Sequence, residues 1–245
     1  MRKIFIRADD FGISRSVNEA IISIAGKDLL KNVSILVNLP SSSYKAEELL
    51  QRDVSIGLHC NISIGVPCSK KMLESVLTRN GRFLSSGELR KMDQDLFDEK
   101  AIEAEILAQM EMFEKRYGKK PDYLDIHSVV NRKFIDVCKD IALGSGILYV
   151  TTPLSADGYY IKDKEMAWMI SDGDISKELG IFPELLDQGE DISVAVFHPG
   201  FVDQELMDHS SLVQLRINDL EILNRKTIAD HLKENRITSC RFYEL

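Results

Sequence analysis

Ile4-Phe5-Ile6-Arg7-Ala8-Asp9-Asp10-Phe11-Gly12 lies near the start of the 245-residue chain and decides how the rest is interpreted. A short apolar run leads into two adjacent acids, and a glycine then lets the backbone turn. This pattern predicts a buried strand with a carboxylate pair at its C-terminal end. The capping-box pattern Ser16-Val17-Asn18-Glu19 predicts a helix directly after it. In βα folds, functional sites are built at the C-terminal ends of the strands.

The acid pair, Asp9 and Asp10, has two interpretations. Neighbouring carboxylates repel each other, so burying both requires a cation or a shared proton, and the pair then marks a functional site. In the plainer interpretation the pair is a solvated acidic turn that caps the next helix. The remaining sequence decides between the two.

Short apolar strands alternate with helical stretches along the rest of the chain, which indicates an α/β fold with a mainly parallel sheet. Residues 60–90 show no clear period and are predicted to form an irregular insertion, whereas residues 159–189 are predicted to hold one or two helices. No repeat or linker divides the chain, so residues 1–245 are predicted to form a single barrel-like domain. The predicted strands cover residues 33–37, 54–58, 123–126, 147–150, 192–197 and 237–243, and the predicted helices include residues 97–117, 211–222 and 227–234.

Composition argues against several classes of function. The net charge is −8, with 31 basic against 39 acidic residues, which gives nucleic-acid binding little electrostatic support. No apolar stretch approaches the ~18 residues that a membrane span needs, and the first acids interrupt the N-terminal apolar run too early for a signal peptide. The four cysteines are scattered, as expected for reduced thiols. We therefore predict a cytoplasmic protein without a nucleic-acid or membrane partner.

Three histidines, His59, His127 and His198, each stand directly after a predicted strand. A lone histidine at such a position is more often a hydrogen-bonded loop residue. In a parallel barrel, however, all strand C-termini point to one face, so these three side chains and the pair Asp9 and Asp10 are expected to converge. One carboxylate with two imidazoles is a common set for a borderline divalent metal, and it leaves positions open for water.

Such a set indicates a hydrolase. A divalent cation lowers the pKa of its water and polarises a carbonyl oxygen. The second carboxylate can take the proton from that water, and a histidine on the opposite side can protonate the leaving group. Amide or ester hydrolysis by this route needs no covalent intermediate. No Gly-x-Ser-x-Gly, P-loop or Gly-x-Gly-x-x-Gly motif indicates a different chemistry.

Four motifs, in their order along nearly the whole chain, resemble the YdjC-like carbohydrate deacetylases, a family that includes chitooligosaccharide deacetylases. They are Ala8-Asp9-Asp10-Phe11-Gly12, Gly57-Leu58-His59, Asp125-Ile126-His127 and Phe197-His198-Pro199-Gly200. The resemblance implies a single-domain distorted TIM-like (β/α) barrel and a divalent metal, commonly magnesium, with zinc as the alternative. It also implies removal of N-acetyl groups from small acetylated oligosaccharides, often by a homodimer.

By position, the resemblance assigns a role to each candidate site residue. Asp10, His59 and His127 would hold the metal. Asp9 would be the general base and His198 the general acid. A hydrolase that removes acetyl groups through a metal-activated water is therefore the first hypothesis.

One departure from the family pattern concerns the run after His127. The family usually has Asp-x-His-x-His-x-His, but Val129 and Asn131 stand at the last two histidine positions here. If residues 127, 129 and 131 share one side of the cleft, losing two imidazoles weakens attraction for a sugar phosphate, and neutral acetylated sugars are then preferred. The departure also favours an alternative function, a non-catalytic sugar- or metabolite-binding barrel that keeps the metal. A metal amidohydrolase that acts on a non-sugar amide is a further alternative.

Overall fold

The computed structural model describes residues 2–150, 160–161, 164–175 and 192–245. Its strands are β1 (Arg2–Phe11), β2 (Asn32–Ile35), β3 (Ser55–Cys60), β4 (Thr78–Arg79), β5 (Arg82–Phe83), β6 (Tyr123–Ile126), β7 (Leu148–Tyr149), β8 (Tyr160–Ile161), β9 (Lys164–Ile170), β10 (Ile192–Phe197) and β11 (Ile237–Ser239). Its helices are α1 (Arg15–Ile24), α2 (Ala46–Leu50), α3 (Lys70–Leu73), α4 (Ser86–Leu89), α5 (Glu99–Tyr117), α6 (Arg132–Ser145), α7 (Gln204–His209), α8 (Gln214–Asn224) and α9 (Lys226–Glu234). Within these described ranges, none of the helices is both long enough and apolar enough to cross a lipid bilayer.

The main sheet is built almost entirely from parallel strands. Its order is β7-β6-β3-β2-β1-β10-β9-β8, with β8 antiparallel to β9, and β11 pairs with the first residues of β1. The sheet curls into a half-barrel with helices packed around it, which confirms the predicted α/β class and the distorted TIM-like (β/α) barrel. Because β1, β3, β6 and β10 run in the same direction, their C-terminal ends open onto one side of the molecule.

Alternate residues of the central strands face the outer helices and the barrel interior. On β1, Ile4 belongs to the large core between the sheet and the helices, whereas Phe5 belongs to a smaller interior cluster. The Phe5 ring stacks on Phe242 at a centroid distance of 5.1 Å. Arg7 and Asp9 have the same parity as Phe5, so they point into the barrel between this apolar cluster and the C-terminal opening.

Gly57 on β3 makes room for a large interior side chain. A Cβ atom at this position would lie 2.2 Å from Cε2 of Tyr123. The Tyr123 ring therefore packs directly over the β3 backbone, and its hydroxyl lies 2.9 Å from Oγ of Ser34. His59 follows Gly57 by two residues and points into the same interior, one level closer to the opening.

Helix α1 begins earlier than the predicted capping box. Ser14 is the N-cap, and its side chain accepts a hydrogen bond from the Val17 N–H at 3.2 Å. Ser16 Oγ donates instead to the Phe201 carbonyl oxygen at 2.9 Å. The predicted box is wrong because a tertiary contact takes the Ser16 hydroxyl.

Two further regions differ from the sequence-based expectation. Residues 60–90 contain the short helices α3 and α4 and the antiparallel pair β4–β5, whose buried apolar side chains join the outer core. β9 occupies part of the region predicted to be helical, because its parallel pairing with β10 outweighs the local pattern. The rest of that prediction, at residues 159, 162–163 and 176–189, lies outside the described residues.

Candidate active site

Asp9 and Asp10 lie at a bulge in β1. The register between β1 and β2 shifts between Ala8 and Phe11, and Asp10 has a φ of 72°, in the left-handed region. Adjacent residues of a regular strand point to opposite faces, but a bulge re-aims its side chains. As a result, both carboxylates approach Nε2 of His59, Asp9 Oδ2 at 3.8 Å and Asp10 Oδ1 at 3.5 Å.

Asp10, His59 and His127 converge on one point. Their candidate ligand atoms all lie within 4.8 Å of one another, and Asp10 Oδ1 lies 3.1 Å from Nδ1 of His127. This Oδ1 atom is buried and makes no hydrogen bond to any described residue. A buried carboxylate oxygen without a hydrogen bond is costly unless a cation compensates it. One carboxylate oxygen facing two imidazole nitrogens therefore fits a divalent metal ion.

Arg7 compensates the charge of Asp9. Its Nε and Nη2 atoms lie 2.6 and 2.9 Å from the two carboxylate oxygens, a bidentate geometry. Its Nη1 atom lies 3.0 Å from Asp125 Oδ2. Burial by itself would raise the pKa of the Asp9 carboxyl, but Arg7, followed by His59 and His198, holds that pKa below its ordinary value. Asp9 is therefore ionised and held in one orientation.

Asp125 sets the orientation of His59. Asp125 Oδ2 lies 3.0 Å from Nδ1 of His59 and accepts a second hydrogen bond from Ser34 Oγ at 3.2 Å. In the neutral imidazole that binding a metal requires, donation from Nδ1–H leaves the lone pair of Nε2 facing Asp10. Burial by itself would lower the pKa of His59, but Asp125 and Asp9 raise it to about 10. In the absence of a metal, the imidazolium thus balances the surrounding acids.

A second group of candidate ligands consists of Asp9, His59 and Asp125, whose ligand atoms are also within 4.8 Å of one another. Arg7 already pairs with both carboxylates of this group. Because the guanidinium supplies the compensating charge, this group has less need of a metal than the group around Asp10.

Arg216, from helix α8, contacts the second oxygen of Asp10. Its Nη2 atom lies 2.5 Å from Asp10 Oδ2, and its side chain is 1% exposed. Burial by itself would raise the pKa of the Asp10 carboxyl, but Arg216 and His127 hold that pKa well below its ordinary value. Arg216 therefore keeps Asp10 ionised and occupies Oδ2, which leaves Oδ1 available to a metal.

His198 stands directly after β10 and is held by its backbone. Its N–H donates to Asp219 Oδ2 at 2.6 Å, and Ser171 Oγ donates to Asp219 Oδ1 at 2.5 Å. Its Nδ1 atom is buried without a hydrogen bond to a described residue. Burial lowers the pKa of His198, while Asp10 and then Asp9 act in the opposite direction. The structure thus brings His198 within electrostatic range of both acids.

Val129 and Asn131 do not share the cleft with His127. Val129 is 1% exposed and packs in the outer core. Asn131 is the N-cap of α6: its Oδ1 accepts from the Phe134 N–H at 3.0 Å, and its Nδ2 donates to Gln94 Oε1 at 2.5 Å. The condition that residues 127, 129 and 131 share one side of the cleft is therefore not met, because the backbone turns away from the cleft directly after His127. The expected preference for neutral sugars loses its basis with it.

Sequence reasoning missed four charged residues of this site: Arg7, Asp125, Arg216 and Asp219. Arg7 lies on a buried strand two positions before Asp9. Asp125 lies on another buried strand, two positions before the predicted metal ligand His127. Strand alternation places them on the same face, so a signal for both was present. Arg216 and Asp219 come from α8, far along the chain, and no local pattern links them to the strand ends.

Comparison with known proteins places these features in a family. A family model described as YdjC-like protein matches residues 3–234. A carbohydrate deacetylase from Halalkalibacterium halodurans is 27% identical over 93% of this chain and 98% of its own length. A chitooligosaccharide deacetylase from Proteus mirabilis is 25% identical over 94% of each chain.

Solved structures show the same fold. A crystal structure from Enterococcus faecalis, of a protein proposed to cleave cellobiose phosphate, matches with a TM-score of 0.85. The match covers 99% of this chain and 98% of that chain at 22% identity. Since the family model spans nearly the whole sequence, the chain belongs to the family of YdjC-like proteins.

Proposed function

We propose that this protein is a metal-dependent hydrolase that removes N-acetyl groups from small acetylated carbohydrates of the chitooligosaccharide type. The observation that carries the proposal is the buried Oδ1 atom of Asp10, which faces the imidazole nitrogens of His59 and His127 and makes no hydrogen bond to any residue that the structure describes. The relatives named carbohydrate deacetylase and chitooligosaccharide deacetylase support the choice of substrate.

Asp10, His59 and His127 would hold the metal through Oδ1, Nε2 and Nδ1. When bound, the metal supplies Lewis-acid polarisation of the acetyl carbonyl and lowers the pKa of a water molecule. Imidazole ligands suit zinc, whereas magnesium prefers oxygen ligands. The two histidines therefore favour zinc, while the family resemblance favours magnesium, and both ions belong in the test.

Asp9 is the general base in this proposal. Its Oδ2 atom borders the point defined by Asp10 and His59, and Arg7 keeps the carboxylate ionised. Because Arg7 holds both oxygens, Asp9 is not free to rotate toward the metal as a further ligand. Each carboxylate oxygen has a second lone pair, which can accept a proton from the attacking water.

His198 delivers the proton to the leaving amine. Because burial lowers its pKa, the imidazole is neutral near pH 7 before the reaction. The proton that it gives to the amine nitrogen must therefore come from the attacking water by way of Asp9. When the C–N bond has broken and the amine has taken this proton, Asp9 and His198 have regained their starting charges.

The alternative of a non-catalytic binding barrel loses its support. Val129 and Asn131 were the features that favoured it, and their side chains serve the core and the α6 N-cap. A metal amidohydrolase that acts on a non-sugar amide would use the same side chains, so only its substrate separates it from the proposed function.

Acetate release from a panel of acetylated compounds tests the proposal. The panel contains N-acetylglucosamine oligomers and, as non-sugar amides, N-acetylated amino acids. We expect acetate from the sugars, loss of activity after chelation, and recovery with added zinc or magnesium. Asp9→Asn should release acetate ~10²–10⁴-fold more slowly than the wild type, whereas His231→Ala, which changes a histidine on helix α9, should match the wild type. Acetate from the amino acids alone, or from no compound at all, would contradict the proposal.

A further inference from the structure

The backbone directly after His127 is strained. Ser128 has a φ of 59°, in the left-handed region that favours glycine. The Val129 N–H donates to the His127 carbonyl oxygen at 2.5 Å, which closes a γ-turn whose central residue has a positive φ. Such turns are rare and strained, and a serine persists in one only where the surrounding structure holds it.

Arg90 supplies this support. Its Nη2 atom donates to the carbonyl oxygen and to Oγ of Ser128, both at 2.9 Å. One guanidinium nitrogen thus fixes both the backbone and the side chain of the strained residue. Arg90 is the C-cap of α4 and follows Leu89, which is fully buried. The Arg90 side chain therefore extends from the end of a helix that Leu89 anchors in the core.

Two further contacts join the same parts of the chain. Asn131 Nδ2 donates to Gln94 Oε1 at 2.5 Å, and Lys133 Nζ donates to the Asp95 carbonyl oxygen at 3.1 Å. Residues 90–95 therefore contact the loop after His127 and the first turn of α6.

We propose that Arg90 is a positioning residue for the metal site, because it holds the turn at Ser128 and so aims Nδ1 of His127 at Asp10. The inference rests on the proposed metal-binding role of His127. On its N-terminal side, His127 is fixed by β3, since its N–H donates to the Cys60 carbonyl oxygen at 2.9 Å. On its C-terminal side, the Arg90 contacts fix it, and the ring lies 3.1 Å from Asp10 Oδ1.

Zinc titration of the Arg90→Met variant tests the proposal. Loss of a group that orients a metal ligand weakens metal binding about 10–100-fold, and because Arg90 acts through the backbone we expect the lower end, about tenfold. Arg79→Met is the matched control, since Arg79 pairs with Glu88 in the same region at 2.9 Å. The unfolding temperature of the metal-free protein should change equally little in both variants.

The Ser128→Gly variant separates positioning from general stability. Glycine adopts a positive φ without steric cost, so the turn no longer needs Arg90. In the Ser128→Gly background, we expect Arg90→Met to weaken zinc binding by less than about twofold, because glycine removes the steric cost of the positive φ that the Arg90 contacts offset. The ligand-field absorption of bound cobalt should change in Arg90→Met and return toward the wild-type spectrum in the double variant.

The outcomes distinguish this inference from the proposed function. Unchanged zinc affinity in Arg90→Met, together with lost affinity in His127→Ala, overturns the positioning role and leaves the proposed function intact. Unchanged zinc affinity in His127→Ala overturns the ligand assignment itself. An equal loss in Arg90→Met with and without Ser128→Gly also overturns the inference, because Arg90 would then act by a route other than the turn.

Discussion

Asp10 Oδ1 lies 3.1 Å from Nδ1 of His127, although β1, which carries Asp10, and β6, which ends just before His127, are not neighbours in the sheet. β2 and β3 separate β1 from β6, so a flat sheet would hold the two side chains about 14 Å apart at the usual strand spacing. The curl of the half-barrel brings them into contact. The site therefore depends on the curvature of the sheet as much as on the residues themselves.

Replacing Arg216 with methionine should destabilise the metal-free protein. The change leaves the buried Asp10 carboxylate without its guanidinium partner, and breaking a buried pair in this way costs about 3–5 kcal/mol. A metal can supply the lost charge, so zinc should stabilise Arg216→Met more than it stabilises the wild type. Urea unfolding with and without zinc measures both effects. Equal stabilisation of the two proteins would show that Arg216 and the metal do not share Asp10.

Asp9→Asn and His59→Ala should separate the base from the metal ligands. Asn at position 9 cannot accept the water proton but leaves Asp10 and its partners in place, so turnover should fall by ~10²–10⁴ with metal affinity nearly unchanged. His59→Ala should reduce metal binding itself. Zinc titration and acetate release on the same samples check this. If Asp9→Asn loses as much metal as His59→Ala, the two roles have been assigned wrongly.

Asp219 should make stability depend on pH. Burial raises the pKa of its carboxyl from 3.8 to about 6, so the folded state binds its proton more tightly than the unfolded chain does. Its favourable contribution is complete below pH 4 and is lost as the pH rises through 6. Asp219→Asn, which still accepts from the His198 N–H, should therefore gain roughly 2–3 kcal/mol relative to the wild type between pH 4 and pH 7.5. Urea unfolding at both pH values tests this, and a pH-independent difference would refute it.

Asn131→Ala should act on stability and not on substrate choice. The substitution removes the α6 N-cap, which costs about 1 kcal/mol. Asn224→Ala, at the exposed end of α8, is the control and should be nearly neutral. The ratio of kcat/KM values for a neutral and a phosphorylated N-acetylglucosamine dimer should stay within about twofold of the wild type, since Asn131 binds Phe134 and Gln94. A large shift in this ratio would place Asn131 in the cleft after all.

The fold class and the meeting of the strand ends follow from local patterns. Apolar strands alternating with helices predict the parallel sheet, and the position directly after a strand predicts which face His59 and His127 share. Strand alternation extends the same logic to Arg7 and Asp125. Each of these signals acts over a few residues, which is why the sequence reveals them.

Other features of the site depend on contacts between distant parts of the chain. The left-handed Asp10, which turns two adjacent carboxylates to one side, is set by the register of β1 against β2. Arg216 reaches Asp10 because α8 packs against the loop after β10. In that loop the Gly200 N–H donates to the carbonyl oxygen of Arg216 at 3.0 Å. Likewise, Arg90 donates to Ser128 in the turn after His127 from a separate part of the chain. No local pattern predicts any of these three.

In the proposed function, deacetylation requires a metal held by Asp10, His59 and His127. The most direct test of this requirement is a titration of metal-free protein with zinc, and in parallel with magnesium, that records bound metal and acetate release from N-acetylglucosamine oligomers on the same samples. We predict that the rate rises in proportion to bound metal and stops rising at one ion per chain, and that His127→Ala shows neither signal. Undiminished acetate release by protein with no bound metal would contradict the account.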